Sequence, residues 1–331
     1  MFGFGKTGAC DFLAIGDAVV DDFIRLKDAE VHCDIDTERC MICMRFGDKV
    51  PFESSTVVYG VGNSGNAAVS AARLGLKTIF ITNIGKDERG DEIVRTYKRE
   101  GIDTALVTQH EGMPTNYHYV LWYGDERTIL VNHHPYPYRF PNDIPEPKIL
   151  YLTSLASGTE KYHDDVATYL EAHPNVFLTF QPGTFQMKIG AERLSRLYKR
   201  ADLLVVNKEE AQRILNASKE QNAEVLLNGL HALGSKTVII TDDTNGVYAL
   251  EKDISFHLPM YRDPKPPLQK TGAGDAFTST TAVYYGTGTP LKEAMERGMI
   301  NAAYVVQEIG AQKGLLTREG LEEKFKAFKK T

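Results

Sequence analysis

Residues 203–241, LLVVNKEEAQRILNASKEQNAEVLLNGLHALGSKTVIIT, contain a unit that recurs through most of the chain. The stretches at 203–206 and 237–241 are short, almost entirely apolar and rich in β-branched residues, which is typical of buried strands. Between them, 208–215 and 222–233 have the apolar spacing of helices. The unit is therefore predicted to start and end with parallel strands joined by helices.

The same alternation covers much of the remaining sequence. Further buried strands are predicted at 12–15, 78–82, 149–152 and 176–180. Further helices are predicted at 66–74, 87–100, 161–173, 191–200, 275–285, 291–307 and 318–329. This order predicts an α/β fold, with a doubly wound, mainly parallel sheet flanked by helices on both faces.

Two segments, at about 17–59 and 115–134, interrupt the alternation. The first has strand-like stretches without a long helix, and the second resembles a hairpin that turns at Gly124-Asp125-Glu126. Both segments predict a small β element that stands off the main sheet. We expect it to act as a lid that excludes water from a bound ligand. An edge extension that merely covers the core is the alternative.

Composition excludes several classes of protein. Of 331 residues, 42% are hydrophobic and 25% are charged, which excludes disorder, collagen and a coiled coil. No apolar run approaches the ~20 residues of a membrane span, and the first residues lack the apolar core of a secretory signal. The net charge of −6 gives no general attraction to nucleic acid or anionic membrane. We expect one soluble, cytoplasmic domain over residues 1–331.

The cysteines cluster early in the chain, at Cys10, Cys33, Cys40 and Cys43. The Cys40–Cys43 spacing, with Cys33 or His32 beside it, is compatible with zinc. A second closely spaced pair is missing, and apolar residues alternate with these cysteines. The pattern therefore favours reduced thiols packed as small hydrophobic side chains over a zinc site.

The glycines at Gly60, Gly62 and Gly65 form a G-x-G-x-x-G pattern before a predicted helix. This pattern indicates a dinucleotide site when an acidic residue ends the next strand. The next predicted strand ends in Thr82 and Asn83. An NAD-dependent dehydrogenase is therefore a minor alternative to a tight turn before a closely packed helix. The glycines would also let the hydroxyls of a ligand approach the backbone.

A second glycine motif, Thr271-Gly272-Ala273-Gly274-Asp275, precedes another predicted helix. The amides of residues 272–274 can converge at the positive end of that helix and stabilise an anion. A carboxylate at Asp275 is either an ordinary helix-capping residue or a base that accepts the proton of an attacking hydroxyl. A carboxylate next to a bound phosphate is unfavourable, because the two negative charges repel each other. Its presence is explained if it takes the proton of the hydroxyl that attacks the phosphate, so the motif favours phosphoryl transfer.

These motifs resemble the ribokinase-like (PfkB) family of sugar and nucleoside kinases. Six regions carry the resemblance, in the same order as in the family: 12–21, 62–75, 124–128, 201–210, 271–275 and 301–303. The resemblance implies that Asp21 and Asn66 bind hydroxyls of the acceptor and that Gly62 lets it come close. It also implies that Asp275 is the general base and that Gly272, Ala273 and Gly274 form the anion hole.

The resemblance also implies ATP and Mg²⁺ as cofactors. Glu210 would hold magnesium through water, since Mg²⁺ keeps much of its hydration shell. Residues implied to lie near the nucleotide are Asn207, Thr241, Gly246, Lys270 and Asn301. The implied activity is transfer of the γ-phosphoryl group of ATP to a hydroxymethyl group of a sugar or nucleoside. Relatives often pair through the lid, which implies a homodimer.

The chain departs from the family pattern at a few positions. Gln269 and Lys270 replace the usual Asp-Thr pair, and Asp243 replaces a common glycine. Gln269 removes a carboxylate that in relatives lies near a monovalent-cation site, so potassium is a weaker expectation than ATP and magnesium. Lys270 could add a cation beside the phosphates. These departures prompt one more alternative, a sugar- or nucleoside-binding protein on the same fold that does not catalyse transfer.

Overall fold

The computed structural model describes residues 10–27, 29–33, 40–124, 126–262 and 264–330. Asp125, in the predicted hairpin turn, lies outside these ranges. The strands are β1 (Cys10–Ile15), β2 (Val19–Leu26), β3 (Glu30–Cys33), β4 (Cys40–Cys43), β5 (Phe52–Val61), β6 (Thr78–Gly85), β7 (Val107–His110), β8 (Tyr117–Tyr123), β9 (Glu126–Asn132), β10 (Pro147–Leu152), β11 (Phe177–Phe180), β12 (Leu203–Asn207), β13 (Thr237–Thr241), β14 (Val247–Glu251) and β15 (Ile254–Leu258). The helices are α1 (Asn63–Arg73), α2 (Glu88–Arg99), α3 (Glu160–Ala172), α4 (Thr184–Ile189), α5 (Ser195–Arg200), α6 (Lys208–Ile214), α7 (Ala223–His231), α8 (Ala273–Gly286), α9 (Leu291–Val305) and α10 (Arg318–Phe328).

The main sheet has nine strands within the described residues, in the order β15-β14-β13-β12-β11-β10-β1-β6-β7. Its pairs from β13 to β7 are parallel, and β14 and β15 add an antiparallel edge. The predicted doubly wound, mainly parallel sheet is confirmed. Chain order reverses between β1 and β10, so the fold places a crevice at the carboxyl ends of these two strands.

Helices cover both faces of this sheet because successive side chains of its strands point in opposite directions. Phe12 and Ala14 of β1 pack into a core with α1, α2, α8, α9 and α10, whereas Leu13 and Ile15 pack into a second core with α3, α5, α6 and α7. Burial on both faces explains why the parallel strands are nearly continuous apolar runs.

A smaller sheet, in the order β5-β2-β8-β9, stands apart from the main one. Its strands come from the two segments that interrupt the β–α alternation in the sequence. The hairpin β3-β4 extends from the same region. The predicted small β element is therefore present, with β8 and β9 forming the expected antiparallel hairpin.

Two local expectations were wrong. The predicted helix at 191–200 is a turn followed by the short helix α5, and the chain forms α4 just before it. Cys33 and Cys40 are joined by a disulfide rather than reduced, because β3 and β4 place them directly opposite each other. Cys10 is a buried free thiol and Cys43 a half-buried one.

Metal and membrane expectations can be compared with the described residues alone. Within them, no group of three histidine, cysteine or acidic side chains is arranged to hold a metal ion, so the zinc alternative gains no support. In the same ranges, the helices are all too short or too polar to span a bilayer.

Candidate active site

A cleft of about 740 Å³ opens between the carboxyl ends of the parallel strands and the smaller sheet. It is the place where an open α/β sheet normally binds its ligands. The predicted site residues that line it are Asp21, Gly62, Asn66, Asn207, Glu210, Thr241, Gly246, Lys270, Gly272, Ala273, Gly274 and Asp275. The fold therefore brings residues from most of the chain to one cavity.

Asp275 lies at the start of α8, and three side-chain amides surround its carboxylate. Asn66 Nδ2 donates to Oδ2 at 2.7 Å, Asn63 Nδ2 donates to Oδ1 at 2.9 Å, and Gln181 Nε2 lies 3.4 Å from Oδ1. Gln312 Nε2 donates to Asn66 Oδ1 and so fixes the orientation of that amide. The carboxylate is held facing the cleft.

The surroundings of Asp275 raise the pKa of its carboxyl. Burial raises the pKa of its carboxyl above the ordinary aspartate value, while the hydrogen bonds from Asn66, Asn63 and Gln181 lower it. The Arg127 guanidinium also lowers this pKa. A carboxylate with a raised pKa is a better proton acceptor for a substrate hydroxyl, provided that it remains ionised at working pH.

The first turn of α8 presents backbone amides next to this carboxylate. Within the described residues, the amides of Gly272, Gly274 and Asp275 donate no hydrogen bond. The Ala273 amide makes a long one, 3.4 Å, to the Lys270 carbonyl. Unpartnered amides at a helix start attract anions, because the helix dipole is positive there.

Gly272 has to be a glycine for two reasons. Its φ of 84° lies in the left-handed region, and a Cβ there would approach the Cβ of Ala311 to 2.4 Å. Gly274 differs, because a Cβ would meet nothing within 4 Å. The loop that contains Ala311 therefore packs directly on the first residue of the predicted anion hole.

Asn207 and Glu210 form a reciprocal cap at the start of α6. Asn207 Oδ1 accepts from the Glu210 amide, and Glu210 Oε2 accepts from the Asn207 amide, both at 2.8 Å. Burial raises the pKa of Glu210, and Asp275 adds to this effect. Because one carboxylate oxygen remains for the cleft, Glu210 fits a hydrated magnesium ion beside a bound phosphate.

Of the other predicted nucleotide residues, Thr241 ends β13 and Gly246 follows that strand, whereas Lys270 lies just before α8. Lys270 Nζ lies 3.4 Å from both Glu126 of the smaller sheet and Asp243. Gly246 has a φ of 89°, and a Cβ there would come within 2.2 Å of the Leu258 carbonyl. The wall beyond these residues is apolar, as a base-binding surface would be: Val205, Val206, Met260, Phe277, Met299, Ala302, Ala303 and Val306 line it.

Asn301 is placed differently from the prediction. Its side chain is fully buried, with Nδ2 donating to Thr280 Oγ1 at 2.8 Å and Oδ1 accepting from the Leu316 amide at 2.9 Å. Both polar ends of the amide thus connect α9 to its neighbours outside the cleft. Ala302 and Ala303 reach the cavity instead, so we do not retain Asn301 in the nucleotide site.

His118, which lines the cleft near Asp21, forms a pair with His133 that sequence reasoning missed. Asp21 Oδ1 lies 3.1 Å from His118 Nδ1, and His118 Nε2 lies 2.9 Å from His133 Nε2. His133 Nδ1 in turn faces Asp17 Oδ2 at 3.3 Å. The alternating pattern of β8 assigns His118 to one face of the strand. It does not show that His118 pairs with His133, which lies beyond the hairpin.

Asn63, Gln181 and Arg127 were also missed as site residues. Arg127 extends from β9 into the cleft near Asp21 and Asp275, and its buried Nε has no hydrogen-bond partner among the described residues. An unpaired guanidinium in a cleft is suited to a negatively charged group. The signal available in the sequence was its position just after the hairpin turn.

The geometry of the G-x-G-x-x-G segment does not match a dinucleotide turn. Gly60 lies next to the end of β5, which belongs to the smaller sheet and not to the parallel sheet, and Gly65 lies inside α1. A Cβ on Gly65 would approach the Gly60 carbonyl to 2.6 Å and the Tyr97 hydroxyl to 2.7 Å. Close packing explains these glycines, and the dehydrogenase alternative is not supported.

Comparison with known proteins agrees with this geometry. The model of the pfkB family carbohydrate kinases matches residues 27–318. Ribokinase of Staphylococcus aureus is 26% identical over 278 residues, covering 80% of this chain and 88% of that protein. Nucleoside kinase of Methanothermobacter thermautotrophicus is 24% identical over 261 residues, covering 76% and 79%.

A solved structure shares the whole fold. Arabidopsis thaliana ribokinase, complexed with ribose and ATP, superposes with a TM-score of 0.79 at 19% identity, covering 96% of this chain and 99% of that one. The protein is accordingly a phosphotransferase with an alcohol group as acceptor. Because the family model spans most of its length, the chain belongs to the pfkB family of carbohydrate kinases.

Proposed function

We propose that the protein transfers the γ-phosphoryl group of ATP to a hydroxymethyl group of a sugar or nucleoside. The observation that carries the proposal is the position of Asp275, whose carboxylate lies next to amides at the start of α8 that donate no hydrogen bond to any residue the structure describes. A base and an anion site side by side meet the two needs of phosphoryl transfer, activation of the hydroxyl and neutralisation of charge on the phosphoryl group.

The chemistry assigns one role to each part of the cleft. The Asp275 carboxylate accepts the proton of the acceptor hydroxyl, whose oxygen bonds to the γ-phosphorus as the bond to the β-phosphate oxygen breaks. Gly272, Ala273 and Gly274 direct their amides at the moving phosphoryl group, and Lys270 adds a positive charge. The products are ADP and a phosphate monoester.

Magnesium would be held through water by Glu210, with Asn207 holding the Glu210 carboxylate in place. When bound, the ion neutralises charge on the phosphates of ATP. Thr241 and Gly246 border the nucleotide end of the cleft, next to its apolar wall.

The acceptor lies under the smaller sheet in this proposal. Asp21 accepts hydrogen bonds from its hydroxyls, and Asn66 contributes the remaining N–H of its amide. Gly62 borders the acceptor through its backbone, since a Cβ there would already meet the Asp17 carbonyl at 2.8 Å. The smaller sheet then closes as a lid that excludes water. The curated relatives bear the names of both sugar and nucleoside kinases, so the proposal covers both acceptor classes.

A panel of acceptors tests the proposal. Ribose, fructose, a sugar phosphate, adenosine and uridine are each incubated with ATP and magnesium, and ADP release is followed in a coupled assay. We expect acceptor-dependent ADP release with at least one of them and a phosphate monoester in the product. Saturable acceptor binding without ADP release would instead favour a binding protein on this fold.

We also propose that two copies of the chain pair through the smaller sheet. Its outer face exposes several large apolar side chains: Phe52, Val57, Tyr119 and Leu130. Adjacent exposed apolar residues of this kind indicate an interaction surface. Light scattering after gel filtration should give twice the mass of the chain, and Leu130→Lys should return it to the mass of one copy. A monomeric unmodified protein would contradict the proposal.

A further inference from the structure

Gln269 lies just before the residues of the proposed anion hole, 272–274, and contacts the loop that follows α9. The segment 270–274 is called the anion-hole loop below. Its side chain is buried, and Nε2 points at three backbone carbonyl oxygens: that of Glu308 at 2.9 Å, Thr271 at 3.2 Å and Gly310 at 3.4 Å. The other end of the amide, Oε1, accepts from the Thr271 amide. Each end of the glutamine amide therefore faces a group of complementary polarity.

Three carbonyl oxygens around one point resemble the coordination shell of a monovalent cation, in which carbonyls replace the hydration water. The family resemblance puts a monovalent-cation site of relatives near this position, where Gln269 replaces their carboxylate. In this chain, however, the shell is filled by the side-chain nitrogen of Gln269. The residues do not fit a bound cation, because the amide nitrogen already occupies the position between these carbonyls and donates its two N–H groups toward them.

The contact between Gln269 and the Gly310 carbonyl lies close to the anion hole. Gly310 is followed by Ala311, which packs against Gly272 so closely that a Cβ on Gly272 would lie 2.4 Å from that of Ala311. Gln269 thus holds the loop at 308–311 against the first residue whose amide faces the cleft. If the three carbonyls lost their partner they would repel one another, and the loop would move away from Gly272.

We propose that the Gln269 amide takes the place of a monovalent cation and positions the anion-hole loop without one. Gln269 is a positioning residue in this scheme, since it acts through Thr271 and the loop that packs on Gly272. The effect on turnover rests on the proposed kinase function, whereas the occupation of the three carbonyls by an amide does not. Replacing that amide should create a site for potassium.

The substitution Gln269→Glu tests this most sharply, because it keeps the shape of the side chain and turns its nitrogen into an oxygen. A carboxylate oxygen facing three carbonyls is unfavourable unless a cation lies between them. Gln269→Ala is the second variant and leaves an uncharged space. Gln307→Ala is the matched control, since Gln307 Nε2 donates to a single backbone carbonyl, that of Lys265, at 3.0 Å.

Thermal unfolding and turnover are compared in potassium and in tetramethylammonium chloride at equal ionic strength, the latter ion being too large for the site. The unmodified chain and Gln307→Ala should give the same melting temperature and turnover in both salts. Gln269→Glu and Gln269→Ala should melt lower in tetramethylammonium and recover in potassium, as linkage to a bound ion requires. We expect their turnover to fall roughly tenfold in tetramethylammonium and to recover with potassium.

Potassium dependence of the unmodified chain would overturn the proposal. So would variants of Gln269 whose melting temperature is the same in both salts. The melting experiment needs no acceptor, so it separates a failure of this inference from a failure of the proposed kinase function. If Gln269→Glu does not fold in either salt, Gln269→Ala decides the outcome.

Discussion

The substitution Asp275→Asn removes the charge of the proposed base and keeps its shape. In the unmodified chain, Asn66 donates to one carboxylate oxygen and Asn63 to the other. The Asn66 amide is fixed, because Gln312 donates to its oxygen. The new side chain must therefore turn its oxygen toward Asn66 and its nitrogen toward Asn63, whose own amide can turn to accept.

The fold should tolerate this change. One hydrogen bond to a charged acceptor is weakened, which costs about 1.5–3 kcal/mol in typical cases. Against this, burial disfavours the charged form of Asp275, and the substitution removes that unfavourable charge. Since the two effects oppose each other, the melting temperature should change little.

Turnover should change much more than stability. A positioned general base contributes about 10²–10⁴-fold, so the barrier to transfer should rise by about 2.7–5.5 kcal/mol. The Michaelis constants of ATP and the acceptor should change little, because Asp275 acts on the hydroxyl proton in the transition state. The remaining activity should lose its dependence on the ionisation of this carboxyl.

The assay measures ADP release with the best acceptor of the panel, alongside thermal unfolding of the same preparation. Asp22→Asn is the control, since Asp22 also accepts two side-chain hydrogen bonds, from Ser55 and Tyr117, and does not line the cleft. It should retain near-normal turnover. If Asp275→Asn also retains near-normal turnover while correctly folded, Asp275 is not the base.

Three further predictions concern the same cleft. Glu210→Gln should raise the magnesium concentration needed for half-maximal turnover, and an unchanged titration would contradict its role. Asn63→Ala should move the acidic limb of the pH profile of turnover to higher pH, because Asn63 lowers the pKa of Asp275 and the base must be ionised to work. If the profiles of the variant and the unmodified chain superimpose, Asn63 does not influence the ionisation of Asp275. Gly272→Ala should lower the free energy of unfolding, measured by denaturant titration, by about 1–3 kcal/mol. Gly274→Ala should not lower it, because there is open space for the added methyl group. Equal losses in the two variants would refute the packing argument.

The sequence predicted the fold well, because the physical signal is local. Each inner strand is buried on both faces and is therefore an apolar run, and the strands at 12–15, 203–206 and 237–241 lie within β1, β12 and β13. The edge strands β7 and β15 were not predicted, and neither was β14 beside β15. The two edge strands are less buried than the inner ones and carry exposed residues such as Ile254.

Contacts between distant segments were much harder to predict. Asn63 reaches Asp275 across 212 positions of the chain, and asparagine at a helix start is common for other reasons. The disulfide between Cys33 and Cys40 depends on the register of two short strands. Gln269 differed visibly from the family pattern, but the carbonyls at 308 and 310 that explain it come from a separate loop.

This contrast follows from how the two ends of the cleft are built. The proposed nucleotide end is formed largely by β12, α6 and β13, which follow one another in the chain, and by the start of α8. Short motifs therefore describe it nearly completely. The proposed acceptor end is assembled from β2, α1, β8 and β9, which meet only when the smaller sheet forms over the main one. Since acceptor identity depends on the side chains that this assembly brings together, the histidine pair and Arg127 are where differences in substrate among relatives of this chain should be sought.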